Sequence, residues 1–229
     1  MTGETKVRRS AAAAIAVGVL LTAAACTEGG DAERGKPSEG KAVGAAQLCD
    51  GVFRSPSASK ALETVTGARE FDPEGTGEGL GGAAETLKSE FEQAGVSKGA
   101  EVELCSVYAS ASSDLDDVSL EFALDGGEFL DSLEHADELT PYKVGRKALA
   151  GSKRASLYFE CVSPLLGGQA EKAVILRGEI SNRDEPTGDM QQLREANLTL
   201  LNAAAFALAG ELRCEKRGGL SETAALERA

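Results

Sequence analysis

Five cysteines are the residues of this sequence with the clearest chemical potential: Cys26, Cys49, Cys105, Cys161 and Cys214. No two of them form a C-x-x-C pair, so their spacing does not indicate a zinc knuckle or a thioredoxin-like redox site. In an oxidising compartment, an even set of cysteines spread through a domain is typical of disulfides. The odd number therefore suggests that one cysteine has a different role, and the residues before Cys26 indicate which one.

The first residues have the three parts of an export signal: a basic stretch at 6–9, an apolar run from Ala11 to Leu21, and small residues directly before Cys26. The run AAAAIAVGVLLTAAAC resembles the lipobox of bacterial lipoprotein precursors, although Ala23 stands where that family prefers leucine. The resemblance implies that residues 1–25 are removed and that Cys26 is acylated, which would anchor the protein at the extracytoplasmic face of the cell membrane. An ordinary secretory signal cleaved nearby is the alternative. The Arg8–Arg9 pair leaves the export route open.

Two short motifs superficially suggest enzyme chemistry. Gly77, Gly79 and Gly82 spell G-x-G-x-x-G, but a dinucleotide loop needs a buried strand before it, and acidic EFDPEGT precedes it here. Residues 95–99 spell G-x-S-x-G, yet a predicted helix precedes this motif and a strand follows it, the reverse of a hydrolase nucleophile elbow. The sole histidine, His135, has no neighbouring motif that marks it as a catalytic base. We therefore expect a surface loop, a capping turn and a solvated histidine.

The composition and charge of the chain disfavour several further classes of function. The formal net charge of -13 repels phosphate backbones, so the sequence disfavours nucleic-acid binding. Aromatic residues make up only 4% of the chain and Trp is absent, which disfavours a sugar-binding cleft. The acidic clusters at 114–117 and 131–138 do not follow EF-hand spacing, so we expect no metal and no cofactor.

Residues 26–44 are rich in Gly, Glu, Lys and Ser, which predicts that the lipidated cysteine is followed by a flexible tether. Residues 45–217 are then expected to form a single globular domain, and residues 218–229 a disordered tail.

Helical periodicity occurs in three segments of the predicted domain. Ser55, Pro56 and Gly67 mark the start and end of the first helix, and a second spans Gly82 to Ala94. The third, from about Asp189 to Cys214, is the longest, with Asp184 or Thr187 available near its start. The residues at helical spacing in it are Met190, Leu193, Asn197, Leu201, Ala205, Leu208 and Leu212.

Period-two alternation marks four strands: EVELCSVYA, VSLEFAL, ASLYFECV and AVILRGEI. The predicted fold is therefore α+β, with a four-stranded antiparallel sheet packed by a long C-terminal helix and two shorter helices.

The spacing from Cys105 to Val118 equals that from Cys161 to Val174, which suggests two similar hairpins. This favours pairing Cys49 with Cys105 and Cys161 with Cys214. Cys161 shares a strand side with Leu157 and Phe159, where a helix could reach it. Cys105 instead shares a side with Glu101 and Glu103, unless a β-bulge intervenes.

These features predict a membrane-anchored extracytoplasmic lipoprotein that acts as a noncatalytic binding or accessory module of the cell envelope. Its layout also resembles small lipoproteins of high-GC bacteria that have no assigned activity. The expected partners are the membrane, through the lipid on Cys26, and an envelope protein or small ligand. The alternative function is that of an exported hydrolase with a nonstandard site built from Asp, Glu, Ser and Lys.

Overall fold

The computed structural model describes residues 41–73, 75–96, 100–109, 117–127, 139–167 and 173–229, all within the unit Ser38–Ala229. In these ranges the chain has an α+β fold with three α-helices and one antiparallel sheet of six strands. In chain order the elements are α1 (Pro56–Thr66), α2 (Gly79–Ala94), β1 (Val102–Val107), β2 (Val118–Asp125), β3 (Thr140–Tyr142), β4 (Lys147–Ala150), β5 (Arg154–Cys161), β6 (Val174–Asn182) and α3 (Met190–Glu211).

The spatial order of the strands is β1-β2-β6-β5-β4-β3, and every neighbouring pair is antiparallel. The last strand of the chain, β6, therefore lies in the middle and joins the β1–β2 pair to the β3–β4–β5 meander. The α+β class and the three helices agree with the sequence prediction, but the sheet has six strands instead of four. The additional strands, β3 and β4, contain only three and four residues, too few for period-two alternation to be recognised.

A β-bulge in β1 solves the orientation problem of Cys105. Glu103 pairs with Glu121, whereas Cys105 pairs with Leu120, so Leu104 is an extra residue without a cross-strand partner. The extra residue reverses the alternation of side chains, since opposed residues of antiparallel strands point to the same face. Cys105 consequently lies on the same face of the sheet as the buried Leu120, which is the face that packs against the core.

Local signals explain the boundaries of the first helix. The Ser55 hydroxyl accepts a hydrogen bond from the Ala58 amide at 3.2 Å, and Pro56 occupies the first turn. Gly67 ends α1 in the left-handed conformation, with a φ of 68°. These boundaries are the predicted ones, because every signal that sets them is local.

The long helix α3 packs on the sheet with one side and on α1 and α2 with others. Its start is capped by Asp189, whose carboxylate accepts from the amides of Gln191 and Gln192 at 3.0 and 2.9 Å. The cap is therefore Asp189 and neither Asp184 nor Thr187. The helix contributes many buried residues to the core, among them Leu200, Leu201 and Leu208. Its central position explains why apolar residues occur around most of its circumference.

Both ends of the described chain differ from the prediction. Val43 exchanges two backbone hydrogen bonds of 2.9 Å with Phe71, so the folded part includes the end of the predicted tether. The segment 218–229, predicted to be disordered, lies along β3 instead: the Lys143 amide donates to the Glu227 carbonyl at 2.8 Å, and the Ala229 amide to the Pro141 carbonyl at 3.1 Å. The tail thus covers the outer edge of a strand that the sequence pattern does not reveal.

Candidate functional site

The structure pairs Cys49 with Cys105 and Cys161 with Cys214, the pairing that the sequence favours. The Cα atoms are 5.7 and 4.9 Å apart, within the usual range of about 4.4–6.8 Å for disulfides. Cys26, the predicted lipidation site, lies outside the described residues, as does the whole predicted export signal.

The two disulfides have structural roles. The Cys49–Cys105 bond ties the segment before α1 to the bulge of β1, and the Cys161–Cys214 bond ties the end of β5 to the residues after α3. Beside the second bond, the Ser163 hydroxyl donates a hydrogen bond to the Leu212 carbonyl. Cys161 is fully buried, so this pair is a cross-link within the core and not an accessible redox centre.

The glycine motif at 77–82 opens α2, but a side chain already occupies the place where a phosphate would bind. The Asp50 carboxylate accepts a hydrogen bond from the Leu80 amide at 2.8 Å, at the first turn of the helix. An anionic ligand would meet this negative charge. The segment before the helix also lies beside β1, where the Glu78 amide donates to the Glu103 carbonyl at 3.0 Å. The motif therefore forms a structural turn.

Several other sequence candidates fall outside the described residues: Ser97 to Gly99 of the second motif, His135, and the acidic residues at 114, 116 and 131–138. Gly95 ends α2, which agrees with a capping role for the start of that motif. Asp117, the described member of the first acidic cluster, pairs with Arg183 at 2.9 Å. Within the described ranges, no three His, Cys, Asp or Glu side chains lie close enough to hold a metal ion.

The strongest candidate for a functional site is a cleft of about 710 Å³, a volume typical of small-molecule pockets. Residues 151–153, the turn between β4 and β5, form one wall together with Arg154, the first residue of β5. Ser181 and Asn182 at the end of β6 form another, and Met190 and Arg194 of α3 form the third. We call this site the Asn182 cleft. Three separate parts of the chain thus meet at one end of the sheet.

A buried asparagine network forms the wall beneath the cleft. Asn197 of α3 is fully buried, and its Nδ2 donates to the carbonyls of Gly151 at 3.1 Å and Ser152 at 2.8 Å. Its Oδ1 accepts from Asn182 Nδ2 at 3.0 Å. Since Asn197 needs its NH₂ group for both carbonyls, its oxygen must face Asn182, which in turn must present its own NH₂ group. The network therefore fixes the orientation of both amides.

Two residues that line the cleft each have a buried polar atom without a hydrogen-bond partner. Asn182 is only 4% exposed, yet its Oδ1, the atom turned away from Asn197, accepts no hydrogen bond. Arg194 Nε is likewise buried and unpaired. A buried polar atom left without a partner typically costs about 1–3 kcal/mol. Both atoms are closed to solvent, so they are unsatisfied polar groups of the fold behind the cleft surface.

The charge of the cleft is opposite to that of the whole protein. Lys153, Arg154 and Arg194 line it, and none of them forms an ion pair within the described part of the chain, whereas Arg177 and Arg183 do. Among the described lining residues, Glu185 is the one carboxylate, and its Oε1 accepts from the Ser152 hydroxyl at 2.6 Å. The described lining residues therefore carry a positive charge in a protein whose net charge is -13.

A second charged cluster lies on the distal face of the sheet, the face turned away from α3. Glu103, Glu121 and Glu179 oppose one another directly across β1, β2 and β6. Burial raises the pKa of Glu121, and the charges of Glu101, Glu103 and Glu179 raise it further. Arg177 is 2.8 Å from Glu101 and also hydrogen-bonds Glu179. Burial opposes the charged form of Arg177, but these carboxylates outweigh it and raise its pKa.

The distal cluster is less suited to ligand binding than the cleft, because its cation is already paired. Burial is also the main cause that raises the pKa of Tyr158 on the same face, while the positive charge of Arg177 opposes this shift. The cluster is best described as an internal charge network of the sheet.

One residue of the sequence gives a signal for the wall of the cleft. Asn197 occupies a position in the apolar stripe of the longest helix, and a polar residue there needs a buried partner. Its partners, the turn at 151–152 and Asn182, are distant in sequence, so the site itself could not be located.

Comparison of the chain with protein-family models, with curated proteins and with solved structures found no match. Among the described helices, none combines the length and the apolar composition needed to cross a membrane.

Proposed function

We propose that this protein is exported and held at the extracytoplasmic face of the membrane by a lipid on Cys26, where it acts as a noncatalytic binding module of the cell envelope. The observation that carries the proposal is the pairing of the cysteines. The chain has five, and two disulfides use Cys49, Cys105, Cys161 and Cys214. Cys26 is thus left over, and it directly follows the signal-like run of residues 11–25.

The disulfides support export because thiols in the bacterial cytosol are kept reduced. Two disulfides within one unit are typical of a protein that folds outside that compartment. With Cys26 unpaired, an acylated thiol accounts for a cysteine that would otherwise remain exposed to oxidation. The resemblance of the preceding residues to a lipobox supports the same interpretation.

The Asn182 cleft supports a binding role. It is of ligand size, its wall is fixed by buried hydrogen bonds, and Lys153, Arg154 and Arg194 line it. A rigid wall lined by cations is suited to recognition of a small molecule.

The anchor is tested by measuring intact mass and membrane fractionation of the native protein beside Cys26→Ala, both expressed in the natural host. We expect the native protein to carry the mass of a diacylglycerol and to fractionate with membranes, and Cys26→Ala to do neither. Thr27→Ala, which changes the next residue and keeps the thiol, is the matched control and should behave as the native protein. Identical behaviour of the native and Cys26→Ala proteins would refute the anchor.

A further inference from the structure

We infer that residues 222–229 form a detachable strap that fastens β3 to α3 beside the Asn182 cleft, and that release of the strap frees the β3 side of the cleft. The inference rests on the binding role proposed above and adds a conformational control to the same site. The strap opens and closes without any covalent step.

The strap contacts two elements of the domain. On the β3 side, the Lys143 amide donates to the Glu227 carbonyl at 2.8 Å, and the Ala229 amide donates to the Pro141 carbonyl at 3.1 Å. On the α3 side, the guanidinium group of Arg228 donates to Gln191 Oε1 at 3.2 Å. The strap therefore bridges the last strand of the sheet and the first turn of the long helix.

Both attachment points are next to residues of the cleft. Leu139 lines the cleft and directly precedes β3, two residues before Pro141. Met190 also lines the cleft and is the neighbour of Gln191 in the first turn of α3. The strap thus connects the Leu139 side of the cleft to the Met190 side, and it determines how firmly the two sides are held together.

The contact with α3 is specific although it is exposed. Gln191 Nε2 donates to Glu195 Oε1 at 2.8 Å, one turn further along the helix. The amide oxygen of Gln191 is therefore the atom that faces Arg228, and it can only accept a hydrogen bond. The helix itself thus orients the acceptor that the strap uses.

The strap is held more weakly than the chain before it. Leu220 is buried, and the Ser221 carbonyl accepts from the buried Asn202 at 3.0 Å. From 222 onward every residue is exposed or half-buried, and the ion pair between Lys143 and Glu227 is exposed. Such contacts contribute little, because water competes for the same groups. Local opening beyond Ser221 therefore needs much less free energy than unfolding of the domain.

The position of β3 depends on the strap. The strand has three residues and lies at the end of the sheet, so it pairs with β4 on one side and with the strap on the other. When the strap leaves, β3 keeps only the pairing with β4, and Leu139 loses its link to α3. Thr140 opposes Ala150 of β4, and Gly151 of the cleft follows directly. Movement of β3 is therefore felt at the opposite wall.

The opening is tested by hydrogen exchange followed by NMR on the full native chain with both disulfides, in neutral detergent micelles. We expect the amide hydrogens of Lys143 and Ala229 to exchange at least about 100-fold faster than the hydrogen-bonded amides of β5 and β6. Arg228→Ala should speed exchange of both amides by the same factor, about threefold, because it removes one exposed hydrogen bond from a segment that opens as a unit. Arg69→Ala is the matched control: it removes an exposed arginine whose partner, Glu63, lies 3.6 Å away, and it should change neither rate.

The coupling to the cleft is tested with a variant that ends at Ser221 and so lacks the strap. We expect its Gly151 amide signal to shift, because Gly151 reports the position of β3 and forms its own amide hydrogen bond with Arg154 at 2.8 Å, away from the strap. If this variant does not fold, relaxation dispersion of the native chain decides instead. Leu139 and Gly151 should then show the exchange rate of Lys143.

Two results would overturn the inference. The first is exchange of the Lys143 and Ala229 amides as slow as that of β5 and β6. The second is a Gly151 signal that stays unchanged in a folded chain without the strap, or that shows no shared exchange rate in the native chain. Neither measurement needs a ligand or acylation of Cys26. A fixed strap in an acylated protein therefore refutes this inference alone, whereas an opening strap in an unacylated protein refutes only the anchor.

Discussion

Asn182 of β6 donates a hydrogen bond to Asn197 of α3 at 3.0 Å, in a region where both side chains are almost completely buried. Through Asn197 Nδ2 the same pair also holds the carbonyls of Gly151 and Ser152. One polar contact therefore joins the central strand, the longest helix and the β4–β5 turn, which are the three walls of the Asn182 cleft.

Replacement of Asn197 should lower the free energy of unfolding. Asn197→Ala removes the hydrogen bonds to the Gly151 and Ser152 carbonyls and to Asn182 Nδ2, which keeps only a 3.5 Å contact with the Ser152 carbonyl. We expect the free energy of unfolding to fall by about 3 kcal/mol. Urea denaturation measures this change. Asn202→Ala is the matched control, since Asn202 is a buried asparagine of the same helix whose Nδ2 donates only to the Ser221 carbonyl at 3.0 Å. It should lose about 1 kcal/mol, and equal losses would contradict the importance of the network.

The two disulfides should contribute similarly to stability. Their sequence separations are 56 and 53 residues, and loop-closure entropy predicts about 4 kcal/mol for each. We expect the double variants Cys49→Ala/Cys105→Ala and Cys161→Ala/Cys214→Ala to lose nearly equal amounts in urea denaturation. Peptide mapping without reduction checks the premise, and a peptide that links Cys49 to Cys214 would disprove the pairing.

The same substitution should have opposite effects at two glycines. At Gly178 on β6, an added Cβ would lie 2.6 Å from Phe122 Cε1 and 3.1 Å from Leu201 Cδ1, between the sheet and α3. Gly178→Ala should therefore destabilise the protein by about 1–3 kcal/mol. Gly81→Ala is the control, because Gly81 lies in α2 with no atom within 4 Å of the added Cβ. It should stabilise the protein by about 0.5–1 kcal/mol in thermal denaturation, and destabilisation there would contradict the described helix.

Glu121 should make stability depend on pH. Its pKa is raised in the folded protein by burial first and by Glu101, Glu103 and Glu179 next. The folded state thus binds the Glu121 proton more tightly than the unfolded state. Above the folded pKa, the ionised Glu121 side chain lowers the stability of the folded protein. As the pH falls through the folded pKa to the ordinary pKa of a glutamate, protonation of Glu121 stabilises the folded protein.

We therefore expect Glu121→Gln to stabilise the protein at pH 7 by about 0.5 kcal/mol, the magnitude of a cross-strand charge pair, and to lose this advantage as the pH falls toward about 4. Urea denaturation at several pH values measures both effects. Glu160→Gln is the control on the same face: Glu160 opposes Ile175 and lies 3.4 Å from Arg146, so its loss should be neutral or slightly destabilising. Destabilisation by Glu121→Gln at pH 7 would refute the proposed charge repulsion.

The sequence predicted those parts of the fold that local signals determine. The caps Ser55 and Gly67 act within a few residues, and the alternation in 118–124 reflects one face of one strand, so both could be recognised. The sequence indicates that Cys105 can face the core only if a β-bulge intervenes, but the alternation of side chains does not show where the bulge lies. The structure places it at Leu104.

The cleft could not be predicted because its parts meet only in the folded chain. Asn182 and Asn197 are adjacent to the β4–β5 turn only after β6 has entered the sheet, and β4 itself is too short for its pattern to be recognised. The tail at 218–229 has the same explanation: its partner is β3, and neither segment has a pattern that identifies it alone. Long-range pairing, and not local propensity, determines these regions.

The pairing of the cysteines has a consequence for the order of folding. The two disulfides follow one another along the chain without interleaving, since Cys49 and Cys105 both precede Cys161. If Cys26 is blocked by acylation, as proposed above, a chain that is oxidised as it emerges from its N-terminal end joins Cys49 to Cys105 and then Cys161 to Cys214, which is the native pairing. The sheet, by contrast, stays in two separate pieces until β6 arrives between them. Oxidation in the order of synthesis would therefore form the Cys49–Cys105 disulfide before the two parts of the sheet are joined, without help from a disulfide isomerase.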